Sequence, residues 1–167
     1  MKKSEKVKNL IIDKPLKLDC GKTIVNFPLA YETYGQLNEK RDNAILAFHA
    51  LTGDQFAAGI NPVSNKKGWW AHTVGPSKAI DTNKFFVICA NVIGGCMGSI
   101  GPSSINKDNN EIYGTNFPVI TINDMVNAQY NLLKFFRIDR LYSVGGGSIV
   151  GMQVLHFVSY FPIKSKT

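Results

Sequence analysis

The chain has 167 residues, of which 44% are hydrophobic and 19% charged, a composition typical of one globular domain and not of a disordered chain. Its net charge of +7 collects at the two ends, with six lysines against two acidic residues in 1–17 and five basic residues against one in 134–167. A nucleic-acid-binding surface needs basic and aromatic residues clustered on one element, so nucleic acid is not an expected partner. The apolar run at 10–12 is too short for a signal peptide or a membrane span, so we expect a cytoplasmic protein without a membrane partner.

The three cysteines, Cys20, Cys89 and Cys96, are widely spaced and form no C-x-x-C pair. An odd number of separated cysteines favours free buried thiols over a disulfide framework or a metal site. We therefore expect no metal and no permanently bound cofactor.

The first half of the chain predicts a basic tail followed by strands. Residues 1–14 are assigned to the tail, and residues 18–35 alternate apolar and polar side chains around Gly21, as a β-hairpin does. Residues 44–51 and 85–93 are nearly continuous apolar runs, which indicates strands buried on both faces of a parallel sheet.

The second half predicts two helices separated by a strand. Residues 121–136 place apolar side chains on one face of a helix, and Thr121 with Asp124 resembles a capping box. A short buried strand is predicted at 140–144, and an almost wholly apolar helix at 149–161.

This alternation of strands, loops and helices predicts an α/β domain with a mainly parallel sheet. In such sheets the chemistry collects in loops at the carboxyl ends of the strands, where all the glycine-rich stretches of this chain fall. The polar segment 101–118 is predicted to be a loop that covers the site.

Ser148 is the strongest candidate for a catalytic residue. It lies between the predicted strand and helix with Gly146 two residues before it, which is the arrangement of a nucleophile elbow. The G-x-S-x-G pattern is incomplete because Val150 takes the place of the last glycine. By pattern alone, a glycine-rich turn without catalysis is an equal alternative. Dinucleotide binding is disfavoured because Val150 also replaces the third glycine of that fingerprint.

Five segments together decide between these alternatives, because they closely resemble the homoserine O-acetyltransferase family. This family comprises acyltransferases of methionine biosynthesis with the α/β-hydrolase fold. The segments are "FHALTGD" (48–54), "GWW" (68–70), "GPSKAIDTNKFFVICANVIGGCMGSIGPSSIN" (75–106), "YGTNFPVITINDMVNAQ" (113–129) and "GGSIVGMQ" (146–153).

The resemblance implies a role for particular residues. Ser148 matches the nucleophile that accepts an acetyl group from the substrate acetyl-CoA and passes it to the hydroxyl of homoserine. The backbone N–H groups of Leu51 and Ile149 match the oxyanion hole. The residues that match site-lining loops are Thr52, Gly53, Gly94, Gly95, Gly98, Gly146 and Gly147.

Several positions depart from the family pattern. Gln55 stands where a histidine is usual, and Ala71-His72 stands where an acidic pair is common. Ile100 replaces a threonine and Ile149 a methionine. Val150 is the departure expected to matter most, because a branched side chain must fit where the turn leaves little room.

The family's catalytic triad is incomplete in this sequence. An α/β-hydrolase places its Asp and His after the serine, yet the residues after Ser148 include no acidic residue and only His156, about 12 Å along the helix from Ser148. His49 is expected to pack or hydrogen-bond near the oxyanion loop, and His72 to be exposed. The resemblance therefore implies the N-terminal part of an α/β-hydrolase domain at 15–167, truncated after the nucleophile-elbow helix.

Three interpretations remain open. The chain is half of an acyltransferase whose second half a complementary C-terminal polypeptide supplies, or it is a non-catalytic remnant, or it is a small hydrolase that keeps the serine with an unrecognised base. The alternative activity is that of a serine O-acyltransferase or esterase of the same fold, and the alternative partner is a second copy in a homodimer. As an isolated fragment it is expected to be inactive, because losing triad members costs roughly 10⁴ to 10⁶ in rate.

Overall fold

The computed structural model describes residues 7–161, with the backbone alone described at residues 149 and 150. Within this range the elements are β1 (Lys8–Ile12), β2 (Leu16–Lys17), β3 (Thr23–Ile24), β4 (Phe27–Tyr34), β5 (Ala44–Ala47), β6 (Val74–Gly75), β7 (Ile80–Asp81), β8 (Phe86–Ala90), β9 (Ile105–Asn106), β10 (Glu111–Ile112), α1 (Ile122–Phe135), β11 (Ser143–Gly145) and α2 (Ile149–Tyr160). Neither of these helices is long and apolar enough to cross a membrane.

Five of the strands form one mixed sheet in the order β1-β4-β8-β5-β11. Strands β8, β5 and β11 run parallel to one another, whereas β4 is antiparallel to both of its neighbours, β1 and β8. The other strands pair in three separate two-stranded ribbons. The α/β class is therefore confirmed. The two continuous apolar runs form the buried parallel strands β5 and β8, whereas the third predicted strand is wrong in position and burial: it spans Ser143–Gly145 and is exposed or half-buried because it is the last strand of the sheet among the described residues.

Strands β5 and β8 are buried along their whole length because both faces of the sheet are covered. Successive side chains of a strand point to opposite faces. Leu46 accordingly joins the large core that includes Leu132 of α1 and Phe157 of α2, while Ile45 joins a smaller cluster with Val74. Burial on both faces is the physical reason for the continuous apolar runs in the sequence.

Helix α1 begins with the predicted capping box. The Asp124 N–H donates to Thr121 Oγ1 at 3.3 Å, and the Thr121 N–H donates to Asp124 Oδ2 at 2.9 Å. The fully buried Asp124 carboxylate also accepts the Asp19 N–H at 3.0 Å. This third bond joins the start of α1 to the turn between β2 and β3.

Helix α2 lies against α1 and the sheet, which positions its first residue beside the end of β11. Phe157 meets Phe48 edge to face, with ring centroids 6.0 Å apart. Between the two helices, the buried Gln129 Nε2 donates to Gln153 Oε1 at 3.0 Å. An apolar and a polar contact together therefore position α2.

Three other sequence-based expectations need correction. Residues 8–12, assigned from sequence to the basic tail, form β1 and pair with β4; residues 1–6 lie outside the described range.

The predicted hairpin at 18–35 is wrong in extent. Only β2 and β3 pair around Gly21, while β4 pairs with β1 and β8 in the main sheet. The cysteines are free, but Cys89 alone is buried, and Cys20 and Cys96 are exposed.

Candidate active site

Ser148 has the backbone conformation of a nucleophile elbow. Its φ is 71° and its ψ is −137°, a region that is essentially restricted to glycine and costs about 1–3 kcal/mol for other residues. The other non-glycine residues of positive φ in the described range have φ values of 47–59°. Strain of this kind persists only where the surrounding structure imposes it, here the abrupt change from β11 to α2.

The Ser148 side chain is exposed and takes no part in starting the helix. A serine at this position ordinarily accepts a hydrogen bond from the second or third N–H of the helix, but Ser148 makes no such cap. Its carbonyl accepts the Gly151 N–H at 2.9 Å, so the backbone alone closes the first turn. The hydroxyl is therefore left available, which favours the nucleophile over the structural interpretation of the turn.

Glycines precede the serine, and Val150 follows it. A Cβ added at Gly147 would meet nothing within 4 Å, so this glycine borders open space. The backbone of Val150 continues α2. Its side chain lies outside the described atoms, and its fit at the turn stays a prediction.

The loop after β5 lies at the same edge of the sheet as Ser148. Beyond the last paired residues of β5 and β11, the Phe48 N–H donates to the Gly145 carbonyl at 2.9 Å, which holds the two strand ends together. Leu51 follows three residues later in an exposed turn closed by a 2.7 Å bond from the Gly53 N–H to the Ala50 carbonyl. Within residues 7–161, the Leu51 N–H donates to no acceptor. It is therefore free to bind an anion.

Ile149 offers the second predicted donor. It is the first residue of α2, and the first N–H groups of a helix have no partner within the helix. The positive end of the helix dipole lies at the same position and favours negative charge there. The backbone can thus present one donor from each of two adjacent strand ends, and the oxyanion-hole role of Leu51 and Ile149 stays a prediction.

His49 organises this loop instead of acting on Ser148. Its ring is buried, Nδ1 lies 2.8 Å from the Ala50 carbonyl oxygen, and Nε2 accepts the Val92 N–H at 3.2 Å. Nε2 accepts and Nδ1 faces a carbonyl, so the ring is neutral with its proton on Nδ1. Burial lowers the pKa of His49, while the hydrogen bond to Ala50 and the charge of Asp54 raise it less. The predicted hydrogen-bonding role of His49 is confirmed.

Asp54 and Gln55 are residues whose contribution the sequence did not reveal. The Asp54 carboxylate accepts the Phe56 N–H and the Asn61 side-chain amide, each at 2.8 Å, and its carbonyl accepts Trp69 Nε1–H at 2.8 Å. Fully buried Gln55 donates from Nε2 to the Met97 carbonyl at 3.0 Å, and its Oε1 has no partner among the described atoms. Together they join the loop after β5 to the "GWW" segment and to the loop after β8.

A cavity of about 570 Å³ lies between the two loops and α1. Leu51, Gly94 and Gly95 line it together with Phe117 and Met125. Pro102, Ser103, Phe117 and Pro118 bring the segment predicted as a covering loop to its wall. The described residues therefore form a largely apolar space beside the candidate oxyanion loop.

The other predicted site residues do not line this cavity. At Gly98 an added Cβ would lie 3.0 Å from both Ala30 and Val7, so this glycine packs closely against β4, and its role in a site-lining loop stays a prediction. The remaining predicted residues lie at the strand ends but outside the cavity wall: Thr52, Gly53, Gly146, Gly147 and Ser148.

No described histidine contacts the Ser148 hydroxyl. His156 Nε2 lies 2.9 Å from Asn123 Oδ1, and its ring stacks on Tyr160 with centroids 4.3 Å apart. His72 is exposed, as predicted. Among residues 7–161 no group of three or more His, Cys, Asp or Glu residues could hold a metal ion.

Curated proteins similar to this chain are homoserine O-acetyltransferases. The chain is 71% identical over 160 residues to that of Pelagibacter ubique, covering 96% of this chain and 43% of the relative. It is 57% identical over 150 residues to that of Mesorhizobium japonicum, covering 90% of this chain and 39% of the relative. No family model matches the chain.

Solved structures give the same result for the fold. Homoserine O-acetyltransferase from Bacillus anthracis matches with a TM-score of 0.85 and 35% identity, over 94% of this chain and 43% of that one. Esterase E22 matches with a TM-score of 0.84 and 36% identity, over 93% and 45%. The chain spans less than half the length of these relatives. The comparisons confirm its resemblance to the homoserine O-acetyltransferase family and its α/β-hydrolase fold.

Proposed function

We propose that this chain carries the nucleophile and the oxyanion loop of a homoserine O-acetyltransferase. The observation that carries the proposal is the glycine-like backbone of Ser148, which holds an uncapped hydroxyl at the carboxyl edge of the parallel strands. The 71% identity with the Pelagibacter ubique enzyme supports acetyl-CoA and homoserine as the substrates. Both substrates come from the resemblance, and both are open to direct test.

The proposed reaction has two acyl-transfer steps. Ser148 Oγ attacks the thioester carbonyl of acetyl-CoA and loses its proton to a general base, and the C–S bond breaks to release CoA, which takes up the proton. The hydroxyl of homoserine then attacks the acetyl-serine, which gives O-acetylhomoserine and restores Ser148. In both steps the carbonyl oxygen becomes an oxyanion, which the N–H groups of Leu51 and Ile149 stabilise.

We further propose that residues 1–167 do not turn over by themselves. The described histidines are engaged elsewhere or exposed, so none is positioned to take the Ser148 proton. Without a base the serine hydroxyl is a weak nucleophile at neutral pH. Activity therefore requires residues that the longer relatives have and this sequence does not span.

Ester hydrolysis is the second candidate function. Esterase E22 is as similar in structure to this chain as the Bacillus anthracis acetyltransferase is. The two reactions share the acetyl-serine and differ in whether water or an amino-acid hydroxyl accepts the acetyl group. Measuring the amounts of acetate and O-acetylhomoserine that form therefore distinguishes the two reactions.

A hybrid enzyme tests the proposal without depending on the assembly of fragments. In it, this chain replaces the aligned segment of the Pelagibacter ubique enzyme, and acetyl transfer to homoserine is followed by mass spectrometry. Ser148→Ala is the test variant, and Ser143→Ala is the control because that exposed serine lies in β11 before the turn. We expect the hybrid to transfer acetyl, Ser148→Ala to lose about 10⁴-fold or more in rate, and the control to keep its rate.

Three results would overturn the proposal. A folded hybrid without transfer or hydrolysis would mean that the Ser148 turn of this chain does not support catalysis. Transfer that survives Ser148→Ala would mean that another group accepts the acetyl moiety. Acetate as the sole product would replace acetyl transfer by the esterase function.

A further inference from the structure

Three polar side chains from separate parts of the fold form a chain of hydrogen bonds beside helix α2. His156 of α2 has its Nε2 2.9 Å from Asn123 Oδ1, in the first turn of α1. Asn123 Nδ2 donates in turn to Asp19 Oδ1 at 2.7 Å, in the turn between β2 and β3. These three residues, here called the His156 relay, therefore connect α2 both to α1 and to a turn near the start of the chain.

The relay has one direction, which identifies the ring nitrogen of His156 that carries the proton. Because the amide nitrogen of Asn123 donates to the Asp19 carboxylate, its amide oxygen is the atom that faces His156. An oxygen acceptor requires a donor opposite it, so a neutral His156 ring holds its proton on Nε2. Both N–H groups of the relay thus point toward Asp19, and hydrogen bonds in such a chain polarise and strengthen one another.

The carboxylate end of the relay is held at the start of α1. Thr121 Oγ1 donates to Asp19 Oδ2, and the Asp19 N–H donates to Asp124 Oδ1 at 3.0 Å. Hydrogen bonds from Thr121 and Asn123 lower the pKa of Asp19, and a positive charge on His156 adds to this effect. Asp19 is therefore ionised at neutral pH and accepts strongly from the relay.

His156 lies on the same face of α2 as the two other contacts that hold this helix. Gln153 accepts a hydrogen bond from Gln129, and Phe157 meets Phe48 edge to face. Residues three and four positions apart share one side of a helix, so residues 153, 156 and 157 form one line of contacts. His156 extends that line to a charged group, and its hydrogen bonds are directional where the ring contact of Phe157 is not.

We propose that the His156 relay positions the nucleophile for acetyl transfer by fixing the rotation of α2 about its axis. Ser148 directly precedes α2 and Ile149 is its first residue, so any rotation of the helix moves both the hydroxyl and the candidate oxyanion donor. A rotation of about 20° shifts a Cα atom, about 2.3 Å from the helix axis, by about 0.8 Å. A displacement of about 1 Å can lower an enzymatic rate about 100-fold.

His156, Asn123 and Asp19 are thus positioning residues that act through α2. His156 lies about 10 Å along the helix axis from Ile149, too far to contact the reacting atoms. The inference rests on the proposed function, because it assigns the relay to the reaction at Ser148.

A matched pair of variants in the hybrid enzyme tests the relay. His156→Leu removes the donor, whereas His156→Gln retains an N–H as many bonds from the backbone as His Nε2. His72→Leu is the control, because it removes an exposed histidine outside the relay. Steady-state kinetics of acetyl transfer measure kcat and KM, and circular dichroism measures the helix content of each variant.

We expect His156→Leu to lower kcat about tenfold without changing KM, as a shift of about 0.5 Å would. His156→Gln is expected to retain at least about half of kcat and His72→Leu all of it, since both leave the donor in place. Asn123→Leu is expected to lose as much as His156→Leu. Combining these two changes is expected to cost no more than either alone, because both break the same relay.

Nuclear magnetic resonance of residues 1–167 tests the relay without catalysis. The chain has three histidines, and nitrogen-15 spectra above pH 8 show which nitrogen of each neutral ring carries the proton. We expect the proton of His156 on Nε2, with its signals assigned by their loss in His156→Gln. An inactive hybrid with this proton in place would overturn the proposed function, whereas the following results concern the relay.

Three results would overturn the inference. These are an unchanged kcat in His156→Leu, an equal loss of kcat in His156→Gln and His156→Leu, and a neutral His156 ring with its proton on Nδ1.

Discussion

The two sides of the candidate site differ in how completely this chain builds them. On one side, the loops after β5 and β8 are joined by buried polar groups: His49 bonds to Val92, Gln55 to Met97, and the Ser99 hydroxyl to the Asn91 carbonyl at 2.7 Å. On the other side, Ser148 is exposed and has a strained backbone, and one face of α2 is exposed. The oxyanion side is thus held by hydrogen bonds between distant residues of this chain, whereas the nucleophile side is exposed among the described residues.

This contrast explains why a strained serine can exist beside an open surface. The strain at Ser148 is imposed by what the described chain does supply, namely β11 paired to β5 and α2 held on α1. None of the described histidines lies in position to act as the general base for Ser148. Each of the following changes therefore acts on one side of the site and leaves the other side as a control.

The largest effect expected from a residue other than Ser148 is on the oxyanion side, in the hybrid enzyme. His49→Gln keeps a polar side chain but cannot reach both the Ala50 carbonyl and the Val92 N–H, so the loop carrying Leu51 shifts. We expect kcat to fall about 100-fold with little change in KM, the effect of misplacing a group by roughly 1 Å. Steady-state kinetics measure it, and His72→Gln serves as the exposed control. An unchanged kcat would mean that His49 does not position this loop.

Gly101→Ala tests how rigid the same side is. An added Cβ at Gly101 would lie 2.2 Å from the Gly95 carbonyl oxygen, so the backbone of the loop after β8 must move. We expect the free energy of unfolding of residues 1–167 to fall by about 1–3 kcal/mol, as overpacking usually costs. Urea titration measures it. Gly151→Ala, where nothing lies within 4 Å of the added Cβ, is expected not to destabilise the chain. Equal destabilisation by both would contradict the close contact.

Ser148→Gly tests the nucleophile side in the opposite direction. Glycine adopts a positive φ without strain, so this variant is expected to raise the free energy of unfolding by about 1 kcal/mol while abolishing catalysis in the hybrid. Ser148→Ala also removes the hydroxyl but retains a Cβ, so it is expected to give no such gain. A Ser148→Gly variant no more stable than Ser148→Ala would mean that the turn is not strained.

The smallest expected effect is a pH dependence of stability from His49. Its pKa in the folded chain lies below the ordinary value of 6.5, so the unfolded chain takes up the proton first as the pH falls. The His49 contribution is therefore fully present above about pH 6.5 and declines below it. Urea titrations at pH 7.5 and 5.5 are expected to show this loss, and His49→Gln to reduce it. Hydrogen bonds from Thr121 and Asn123 lower the pKa of Asp19 below its ordinary value of 3.8. Protonation of Asp19 therefore reduces the stability of the fold only at a pH below about 3.8, outside the range of these titrations.

Local sequence patterns predicted the turn at Ser148 and the start of α1. A strand, a glycine pair, a serine and an apolar helix determine the turn at Ser148 within a few residues, and Thr121 with Asp124 likewise determines the start of α1. These features depend on residues that are close to one another in the sequence, so short sequence patterns can predict them.

Features that depend on distant residues were missed or misplaced. Residues 8–12 become a strand only because β4 lies beside them. The link from Gln55 to the Met97 carbonyl joins residues 42 positions apart. No short pattern encodes such partners, since the tertiary arrangement creates them.

The most direct test of the central claim is covalent capture of the acetyl group on Ser148. The hybrid enzyme is mixed with acetyl-CoA without homoserine, quenched in acid, digested and analysed by mass spectrometry. We predict one added acetyl group on the peptide that contains Ser148, removed when homoserine is supplied and absent in Ser148→Ala. Transfer to homoserine with no acetyl group on that peptide would contradict the claim that Ser148 is the nucleophile.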